Sequence, residues 1–567
     1  MQPDAIISSL SHEARTLVRT AVDHLRAEYD PDTGLVTDTL EGTPFRNIRN
    51  SMYLALGLLI LDEPDAPAIA SQICETALRL QIIAPHQIYH GVFRHPDDPM
   101  PPELPFDYTL VTPQSRYHAD LLWEKIADRF DAELRSDPAL CEQTKKIQAL
   151  LRRSLLRTVP VAWDTYEPNL REFIGMTFAM LLEHFTDRLS PDLVQRIRLS
   201  CRSLMEGARM RSQLNLTPLN TNIRIMHIFL LDEFGRILDE PEWIMDAERE
   251  AASLTDEYTE SGGVAEFNSP TYCGVDLSIL GFFRQYSDNQ KLIAFMDRLE
   301  ERIWADMAEF YNPQMRAFCG PYSRSYELDM SVHTCFYDLL YLGLGEERFP
   351  WHPYAIEGPN APLTVLGDVH IPTYLKDRFL GKCTPRHVHR TFRELSERGN
   401  PAEVPALCQA DAFISPDFMA GAMRGSRNTS HQLHPLVVFW RDPATGNVGT
   451  MKLLRCLEDG EMCHLHLVTI DCVLDASNTV RVHAVSSVLR PVVLFFELAC
   501  PDLHPDSFTE TVWHLPGMEV HVQSSLPMSI RAVKPGVVRV AYRLAPDSQA
   551  DLCISLLPAS AESLSCS

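Results

Sequence analysis

One plan recurs through the first 345 residues of the chain: a short polar stretch followed at once by a run that is apolar on nearly every side. It is clearest in FRNIRNSMYLALGLLIL (45–61), EPNLREFIGMTFAMLLEHF (167–185) and NTNIRIMHIFLLDEFG (220–235). The apolar residues recur at spacings of three and four, the period of an α-helix. Helices that are apolar on most faces are buried, so these segments predict inner helices with polar N-terminal ends.

Two further segments follow the same plan, GGVAEFNSPTYCGVDLSILGFF (262–283) and GPYSRSYELDMSVHTCFYDLLYLGLG (320–345). Successive polar starts, from Asn169 to Arg324, lie 53, 46 and 56 residues apart. A helix, a loop and a returning helix need about that length. We therefore predict helical hairpins arranged as two concentric rings, an (α/α) toroid that is either incomplete or a barrel of six to seven hairpins.

The pattern changes past a Pro-rich stretch, ERFPWHPYAIEGPNAP. Short β-rich runs such as HPLVVFW and GVVRVAYRLA then alternate with turn residues, which is typical of an antiparallel sandwich. The predicted fold class is α+β multidomain. The toroid is expected over residues 1–345, a linker and mixed segment over 346–430, and an antiparallel β-sandwich over 431–567.

The charge of the chain limits its partners. The formal net charge is -25, from 76 acidic and 51 basic residues, which argues against a general affinity for nucleic acid or for an anionic membrane surface. The sequence has no apolar run of about 18 residues, the length of a membrane span. Its N-terminal stretch lacks a basic start followed by an apolar core, so a cytoplasmic protein is expected.

The cysteines favour neither disulfides nor a metal. Fourteen are scattered through the chain without a CxxC pair, so reduced thiols are expected. The densest group is Cys456, Cys463, His464 and His466. In a β-rich context this group is typical of alternating strand residues rather than of a zinc site. We expect no metal and no cofactor.

The polar starts have two interpretations. Asn, Ser and Thr cap the free N–H groups of a first helical turn, and Pro suits a helix start. Capping accounts for Asn47, Asn169, Ser269 and Pro270. It does not call for Tyr272, nor for the aromatic and basic residues of the 320–345 segment. Aromatic rings beside Arg and Asn suit stacking on sugar faces and binding of a carboxylate.

These residue types support one specific reaction. The C5 proton of a uronic acid becomes acidic once Asn, His or Arg groups neutralise the adjacent carboxylate. A Tyr in a positive environment can take that proton, and a Tyr can protonate the departing glycosidic oxygen. The candidate catalytic residues are Tyr326, Tyr272, Asn222, Asn268, Arg324 and His333. The candidate substrate-binding residues are Arg49, Asn169, Arg224 and Tyr322.

Two roles within this set remain open. Tyr326 or Tyr272 would act as base and acid, with Arg324 and the two Asn residues as neutralisers. His333 lies seven residues after Tyr326, about two turns along one helix face. It is either a supporting partner of that Tyr or a satisfied core histidine.

A glycoside hydrolase would instead use two carboxylates about 5 to 9.5 Å apart. The candidates are Glu266, Asp276, Glu327 and Asp329, and each is also explained as an acid that complements the dipole of a helix start. The sequence shows no GxGxxG after a strand, no P-loop, no GxSxG and no HExxH. Nucleotide, serine-hydrolase and zinc-protease chemistry therefore find no support.

The segments EFNSPTYCGVDL and GPYSRSYELDM together resemble the (α/α)-toroid polysaccharide lyases and heparinase-like proteins, most of all those of the alginate and glucuronan lyase type. The resemblance implies β-elimination on an anionic oligo- or polysaccharide without a redox cofactor. It assigns the neutralising amides to Asn222 and Asn268, the carboxylate-holding group to Arg324, and the preferred catalytic Tyr to Tyr326. Similar toroids also belong to glycoside hydrolases and epimerases, and a non-catalytic sugar-binding protein would keep the same aromatic and Arg residues.

Overall fold

The structure is a computed structural model. It describes residues 7–40, 43–98, 100, 126, 146–151, 153–154, 167–214, 220–326, 328, 335–350, 360–394, 406–426, 432–458, 468–487 and 491–559. The chain divides into two compact units, each assembled from separate stretches. The helical unit comprises Met1–Ser253, Ser278–Asp297 and Trp351–Val369, and the sheet unit comprises Leu254–Leu277, Arg298–Pro350 and His370–Ser567.

Helices dominate the described residues up to 380. They are α1 (His12–Ala27), α2 (Ile48–Ile60), α3 (Ala66–Leu80), α4 (Leu170–His184), α5 (Pro191–Leu214), α6 (Thr221–Ile237), α7 (Pro241–Ser261), α8 (Pro270–Tyr286), α9 (Gln290–Phe310), α10 (Cys335–Leu344), α11 (Ala361–Thr364) and α12 (Lys376–Leu380). Of the helices described, none is both long enough and apolar enough to cross a bilayer.

The helical unit alternates two kinds of helix. In α2 every residue except Arg49 is buried, and α4 and α6 are buried along most of their length. In α1 and α3 the buried residues fall on one face, at spacings of three and four, as in an amphipathic helix that covers a core. The predicted helical N-terminal part is therefore confirmed, with its buried helices where the apolar runs placed them.

Two of the predicted caps form. The backbone N–H of Asn50 donates to Oδ1 of Asn47 over 3.1 Å at the start of α2. At the start of α8 the backbone N–H of Tyr272 donates to Oγ of Ser269, also over 3.1 Å. Such a cap satisfies one of the N–H groups that a first turn leaves without a partner. The capping interpretation of Asn47 and Ser269 is confirmed.

The strands form four antiparallel sheets. They are β1 (Tyr29–Asp30), β2 (Leu35–Leu40), β3 (Thr43–Asn47), β4 (Tyr311–Asn312), β5 (Ala317–Phe318), β6 (Arg386–Arg393), β7 (Leu407–Ser415), β8 (Phe418–Arg424), β9 (Leu436–Arg441), β10 (Val448–Leu457), β11 (Val468–Leu474), β12 (Thr479–Ser486), β13 (Val492–Ala499), β14 (Val512–Leu515), β15 (Met518–Ser524), β16 (Met528–Lys534), β17 (Val537–Leu544) and β18 (Ser548–Pro558). One sheet has eight strands in the order β16-β17-β13-β10-β9-β8-β7-β6, and another has five in the order β11-β12-β18-β15-β14.

The two large sheets share one hydrophobic core. It contains Trp440 and Phe496 from the eight-stranded sheet together with Trp513 and Ile554 from the five-stranded sheet. Along most strands, buried residues alternate with more exposed ones, which gives each sheet one apolar face. The predicted C-terminal antiparallel part is confirmed, and the shared core is that of a sandwich.

The eight-stranded sheet begins at Arg386, inside the segment 346–430 that the sequence left as linker and mixed structure. Strand β6 reads RHVHRTFR, and only Val388 and Phe392 in it are buried. Apolar residues at every fourth position are too sparse to show the alternation of a strand. The predicted domain boundaries themselves stay a prediction.

A buried carboxyl group in the helical unit should make the stability of the chain depend on pH. Glu233 on α6 is 1% exposed, and Nη2 of Arg236 donates to both of its carboxylate oxygens over 2.8 Å. The same Arg236 also donates to Glu183 on α4 over 3.2 Å. Burial outweighs these contacts and raises the pKa of Glu233 to about 7.

We expect Glu233→Gln to flatten the pH dependence of stability. A carboxyl group whose pKa is raised by folding contributes stability below its ordinary pKa of 4.5, and this contribution is lost as the pH rises through about 7. The wild-type chain should lose up to about 3 kcal/mol of unfolding free energy over this range, and the variant should not. Urea unfolding at about pH 5 and about pH 8 measures the difference.

Glu75 on α3 provides a control of opposite sign. A hydrogen bond from Arg196 lowers the pKa of Glu75, so its contribution is present at neutral pH and is lost on acidification. Glu75→Gln should therefore destabilise the chain at neutral pH and converge with the wild type in acid. A Glu233→Gln variant with the pH slope of the wild type would contradict the effect assigned to burial.

Candidate functional site

Three segments of the sheet unit meet at the N-terminal end of α8, and together they are called the tyrosine site: residues 266–272, 319–326 and 432–434. Asn268 joins the first two. Its Nδ2 donates to the carbonyl oxygens of Cys319 over 2.8 Å and Pro321 over 3.0 Å. The side-chain amide of Asn268 therefore links the start of α8 to the backbone of the second segment.

Asn268 is suited to this task by its backbone. Its φ of 54° lies in the left-handed region, which Asn tolerates better than most residues other than Gly. The side chain is buried, and both N–H groups of its amide serve the two carbonyl oxygens. A neutralising amide must offer an N–H to the substrate, so the catalytic role predicted for Asn268 stays a prediction that these contacts do not favour.

The second segment also lies against the eight-stranded sheet. A Cβ atom added at Gly421 of β8 would fall 1.7 Å from the carbonyl oxygen of Gly320. A Cβ atom at Gly320 would fall 2.6 Å from Cβ of Val437 on β9. Only glycine leaves room for such close contacts. These two glycines therefore allow residues 319–326 to pack directly against β8 and β9.

Tyr272, Arg324 and Gln432 form the centre of the tyrosine site. The guanidinium carbon of Arg324 lies 4.4 Å from the centroid of the Tyr272 ring, within the range of a cation–π contact. Nε of Arg324 donates to Oε1 of Gln432 over 2.6 Å. The Tyr272 hydroxyl donates to the same Oε1 over 3.4 Å. One amide oxygen therefore serves both the cation and the phenol.

Tyr326 is the exposed member of the site. Its side chain is 49% exposed, against 6% for Tyr272. The two rings lie 5.9 Å apart between centroids and are tilted by 32°. Oγ of Ser325 lies 3.3 Å from Oγ1 of Thr271, a contact that holds the backbone between the two tyrosines. The structure thus brings together Tyr272, Arg324 and Tyr326, and their catalytic roles stay predictions.

Tyr322 is placed differently from its predicted substrate-binding role. The side chain is fully buried, and its hydroxyl donates to the carbonyl oxygen of Phe318 over 2.5 Å. Burial holds the pKa of Tyr322 well above its usual range. Its backbone forms an isolated antiparallel bridge with His434. With no exposed surface, Tyr322 supports the site from beneath.

Sequence reasoning missed Gln432 and His434. Nε2 of His434 lies 2.9 Å from the carbonyl oxygen of Ser325, and the carbonyl oxygen of Gln432 accepts from the backbone N–H of Ser325 over 3.0 Å. The available signal was the polar run SRNTSHQLHP directly before the apolar strand LVVFW. A polar run at a strand entry is common in loops, so it did not single out these residues.

Two of the four candidate carboxylates of a hydrolase, Glu266 and Asp276, are fully buried. Burial, followed by the charge of Glu266, holds the pKa of Asp276 well above its ordinary value of 3.8. The other two candidates, Glu327 and Asp329, lie outside the described residues, as does His333.

Asn222 is buried near the start of α6 in the helical unit. It is 4% exposed, and within the described part of the chain its Oδ1 has no hydrogen-bond partner. Glu172 on α4 is fully buried, with Oε1 at 3.9 Å from Nδ1 of His227 and Oε2 at 3.8 Å from Arg211. Burial lowers the pKa of His227 to about 3 and raises the pKa of Glu172. Sequence reasoning missed both titratable residues because they lie inside apolar helices.

The remaining predicted substrate-binding residues also lie in the helical unit. The guanidinium carbon of Arg49 lies 4.7 Å from the centroid of the Phe173 ring. Nη2 of Arg224 is 3.5 Å from Glu250. Asn169, at the start of α4, makes no side-chain cap and instead accepts a hydrogen bond of 2.9 Å from Arg211.

The residues described contain no group of three or more His, Cys, Asp and Glu side chains arranged to hold a metal ion. Of the group Cys456, Cys463, His464 and His466, interpreted as alternating strand residues, only Cys456 is described, so that interpretation falls largely outside the described residues.

Part of the chain matches a family model. Residues 156–356 match the family described as Domain of unknown function (DUF8769). No curated protein matches the sequence. A crystal structure of heparinase III is 10% identical, with a TM-score of 0.47, over 98% of this chain and 86% of that one.

Two further solved structures are similar. A second heparinase III structure is 9% identical over 99% of this chain and 87% of its own, with a TM-score of 0.34. The heparan sulfate lyase HepC from Pedobacter heparinus is 11% identical over 96% of this chain and 88% of its own, with a TM-score of 0.27. At TM-scores below 0.5 these neighbours identify neither a family nor an activity for this chain, and the resemblance to heparinase-like proteins stays a prediction.

We expect Asp276→Asn to stabilise the chain at neutral and alkaline pH. The raised pKa of Asp276 means that its contribution to stability is present below pH 3.8 and is lost as the pH rises. A neutral amide avoids the cost of a buried charge beside Glu266. The melting temperature at about pH 8 should rise by about 2–4 °C, or about 1 kcal/mol, and this gain should vanish in acid.

Asp297→Asn is the matched control. Asp297 is 43% exposed and pairs with Nη1 of Arg284 over 2.7 Å, and exposed pairs of this kind contribute about 0–1 kcal/mol. Its replacement should leave the melting temperature equal or slightly lower. Destabilisation by Asp276→Asn at pH 8 would show that the Asp276 carboxylate is ionised and well compensated.

Proposed function

We propose that this protein is a lyase that cleaves an anionic, uronic-acid-containing oligo- or polysaccharide by β-elimination. The observation that carries the proposal is the contact of Arg324 with Tyr272, with the exposed Tyr326 beside them. A cation, a buried phenol and an exposed aromatic ring are the groups that such a reaction requires. They lie on segments that a sheet and a helix start hold rigidly.

Arg324 is the group proposed to bind the uronate. It is half-buried, and a guanidinium binds a carboxylate through two parallel hydrogen bonds. Neutralising the carboxylate lowers the cost of the negative charge that develops when the C5 proton leaves. Preorganised charge of this kind typically supplies the largest share of a rate enhancement.

Tyr272 is proposed as the base that removes the C5 proton. The guanidinium over its ring stabilises the phenolate, and burial strengthens that attraction. The proton moves from C5 to the phenolate oxygen, and the electron pair of the C5–H bond is delocalised onto the neutralised carboxylate. That pair forms the C4–C5 double bond as the C4–O bond breaks, and the same phenol can return the proton to the departing oxygen.

Tyr326 is proposed to stack on a sugar ring of the substrate. An aromatic ring that is half exposed beside an Arg suits stacking on the apolar face of a pyranose ring. The resemblance drawn from the sequence prefers Tyr326 as the base, and that assignment stays a prediction. If Tyr272 is the base, its hydroxyl is needed for turnover and that of Tyr326 is not; if Tyr326 is the base, the reverse holds. Single Tyr→Phe substitutions therefore distinguish the two assignments.

The catalytic role expected for Asn222 stays a prediction, since its atom without a partner among the described residues is the acceptor Oδ1 and a uronate carboxylate needs an N–H. The (α/α) toroid also stays a proposal. The alternation of buried helices with one-faced partners supports it. The hydrolase alternative is weaker, because Glu266 and Asp276 are fully buried and a glycosidic oxygen has to reach both catalytic carboxyl groups.

A panel of uronic-acid substrates tests the proposed activity. It should contain alginate, glucuronan and heparan sulfate oligosaccharides, the last because one structural neighbour carries that name. β-Elimination leaves a C4–C5 double bond conjugated to the carboxylate, so the ultraviolet absorbance should rise with time. Saturated reducing sugars without that absorbance would identify a hydrolase, and saturable binding without turnover would identify a sugar-binding protein.

Two matched substitutions identify the base. We expect Tyr272→Phe to lower kcat by about 10²–10⁴-fold, the range of general acid–base catalysis, with the ring and its cation–π contact retained. Tyr326→Phe should keep kcat within about tenfold because the stacking ring remains. Circular dichroism verifies folding in both. The reverse pattern would return the catalytic role to Tyr326.

A further inference from the structure

We infer that Gln432 is a positioning residue that holds Arg324 over Tyr272 and orients the Tyr272 hydroxyl. The inference deepens the proposed function and rests on it for its kinetic consequences. Its structural part concerns three side chains of the sheet unit. Gln432 lies 160 positions from Tyr272 and 108 from Arg324.

The two hydrogen bonds that Oε1 of Gln432 accepts differ in strength. Its Oε1 accepts the Arg324 Nε–H over 2.6 Å, a strong charge-assisted bond, and the Tyr272 hydroxyl over 3.4 Å, a weak one. The strong bond fixes the plane of the guanidinium, which lies 4.4 Å from the ring. The weak bond gives the phenol a direction and leaves it easy to turn towards a substrate.

The backbone of Gln432 cannot drift from this position. Its carbonyl oxygen accepts from the Ser325 N–H over 3.0 Å, and two positions later His434 exchanges backbone hydrogen bonds of 3.0 and 3.1 Å with Tyr322. The side chain is 7% exposed. Gln432 is therefore anchored to the same segment that carries Arg324.

An amide is the suitable side chain here for an electrostatic reason. A carboxylate at position 432 would hold Arg324 equally well but would place a negative charge beside the phenol and oppose its ionisation. A methionine would fill the space and hold neither group. The two replacements therefore separate the effect of orientation from the effect of charge.

Other groups near Tyr272 bear on its ionisation. Arg324 and Tyr326 face it from the 319–326 segment. Asp276 follows one turn along α8, with Glu266 as its charged neighbour. His434 is on the same segment as Gln432. All of these remain unchanged in the variants, so a shift in titration reports on position 432.

The kinetic test uses Gln432→Met and Gln432→Glu. We expect Gln432→Met to lower kcat by about 10²-fold, the cost of misplacing catalytic groups by about 1 Å, with a smaller change in KM. Gln432→Glu should keep KM and shift the acidic limb of the pH–rate profile, along which the base ionises, upwards by about one unit. Wild-type kcat and pH profile in both variants would overturn the inference.

A matched pair elsewhere in the sheet supplies the control. Gln409 on β7 accepts from Nε of Arg424 on β8 over 2.7 Å at an exposed position. Gln409→Met removes a Gln–Arg contact of the same kind away from the tyrosine site. It should leave kcat, KM and the pH profile unchanged, and equal effects at both positions would show a general loss of sheet stability.

A substrate-free measurement keeps the inference separate from the proposed activity. The absorbance of tyrosinate is titrated in the wild type and in Tyr272→Phe, and the difference isolates Tyr272. Gln432→Glu should move that difference titration to higher pH by about one unit. A shift without any lyase activity would refute the proposed function and keep the role of Gln432; lyase activity without a shift would do the opposite.

Discussion

The tyrosine site depends on the need of buried backbone carbonyl groups for hydrogen-bond donors. The carbonyl oxygens of Cys319 and Pro321 receive theirs from the side-chain amide of Asn268, and a buried carbonyl without a donor would cost about 1–3 kcal/mol. This requirement ties the start of α8 to the segment that carries Arg324 and Tyr326. The chemistry of the site thus rests on a polar residue whose own donors are already used.

The eight-stranded sheet provides the remaining contacts that hold residues 319–326 in place. Gly320 and Gly421 allow residues 319–326 to lie directly on β8, and the entry to β9 adds Gln432. A cation stacked on a phenol is weak when exposed and stronger when desolvated. The sheet supplies that desolvation, and Gln432 supplies the acceptor that keeps the guanidinium in plane. The close packing of the site therefore depends on Gly320 and Gly421, and the orientation of the Arg324 guanidinium depends on Gln432.

Local pattern was enough to predict the buried helices and the caps by Asn47 and Ser269. It was not enough for Gln432, because a side chain 160 positions from Tyr272 leaves no periodic signal. Both N–H groups of the Asn268 amide serve backbone carbonyl groups, contacts that no sequence displays, and its catalytic role stays a prediction. Strand β6 escaped since its buried residues recur every four positions.

The distance along the chain between Tyr272 and Gln432 has a consequence for folding. Contacts of such large sequence separation form late, after the entropy of closing the intervening loop has been offset by other structure. The site cannot exist in a chain whose helices have formed but whose sheet has not. During refolding, therefore, the Arg324–Tyr272 contact should be among the last to appear, and its ring environment reports the arrival of the native state.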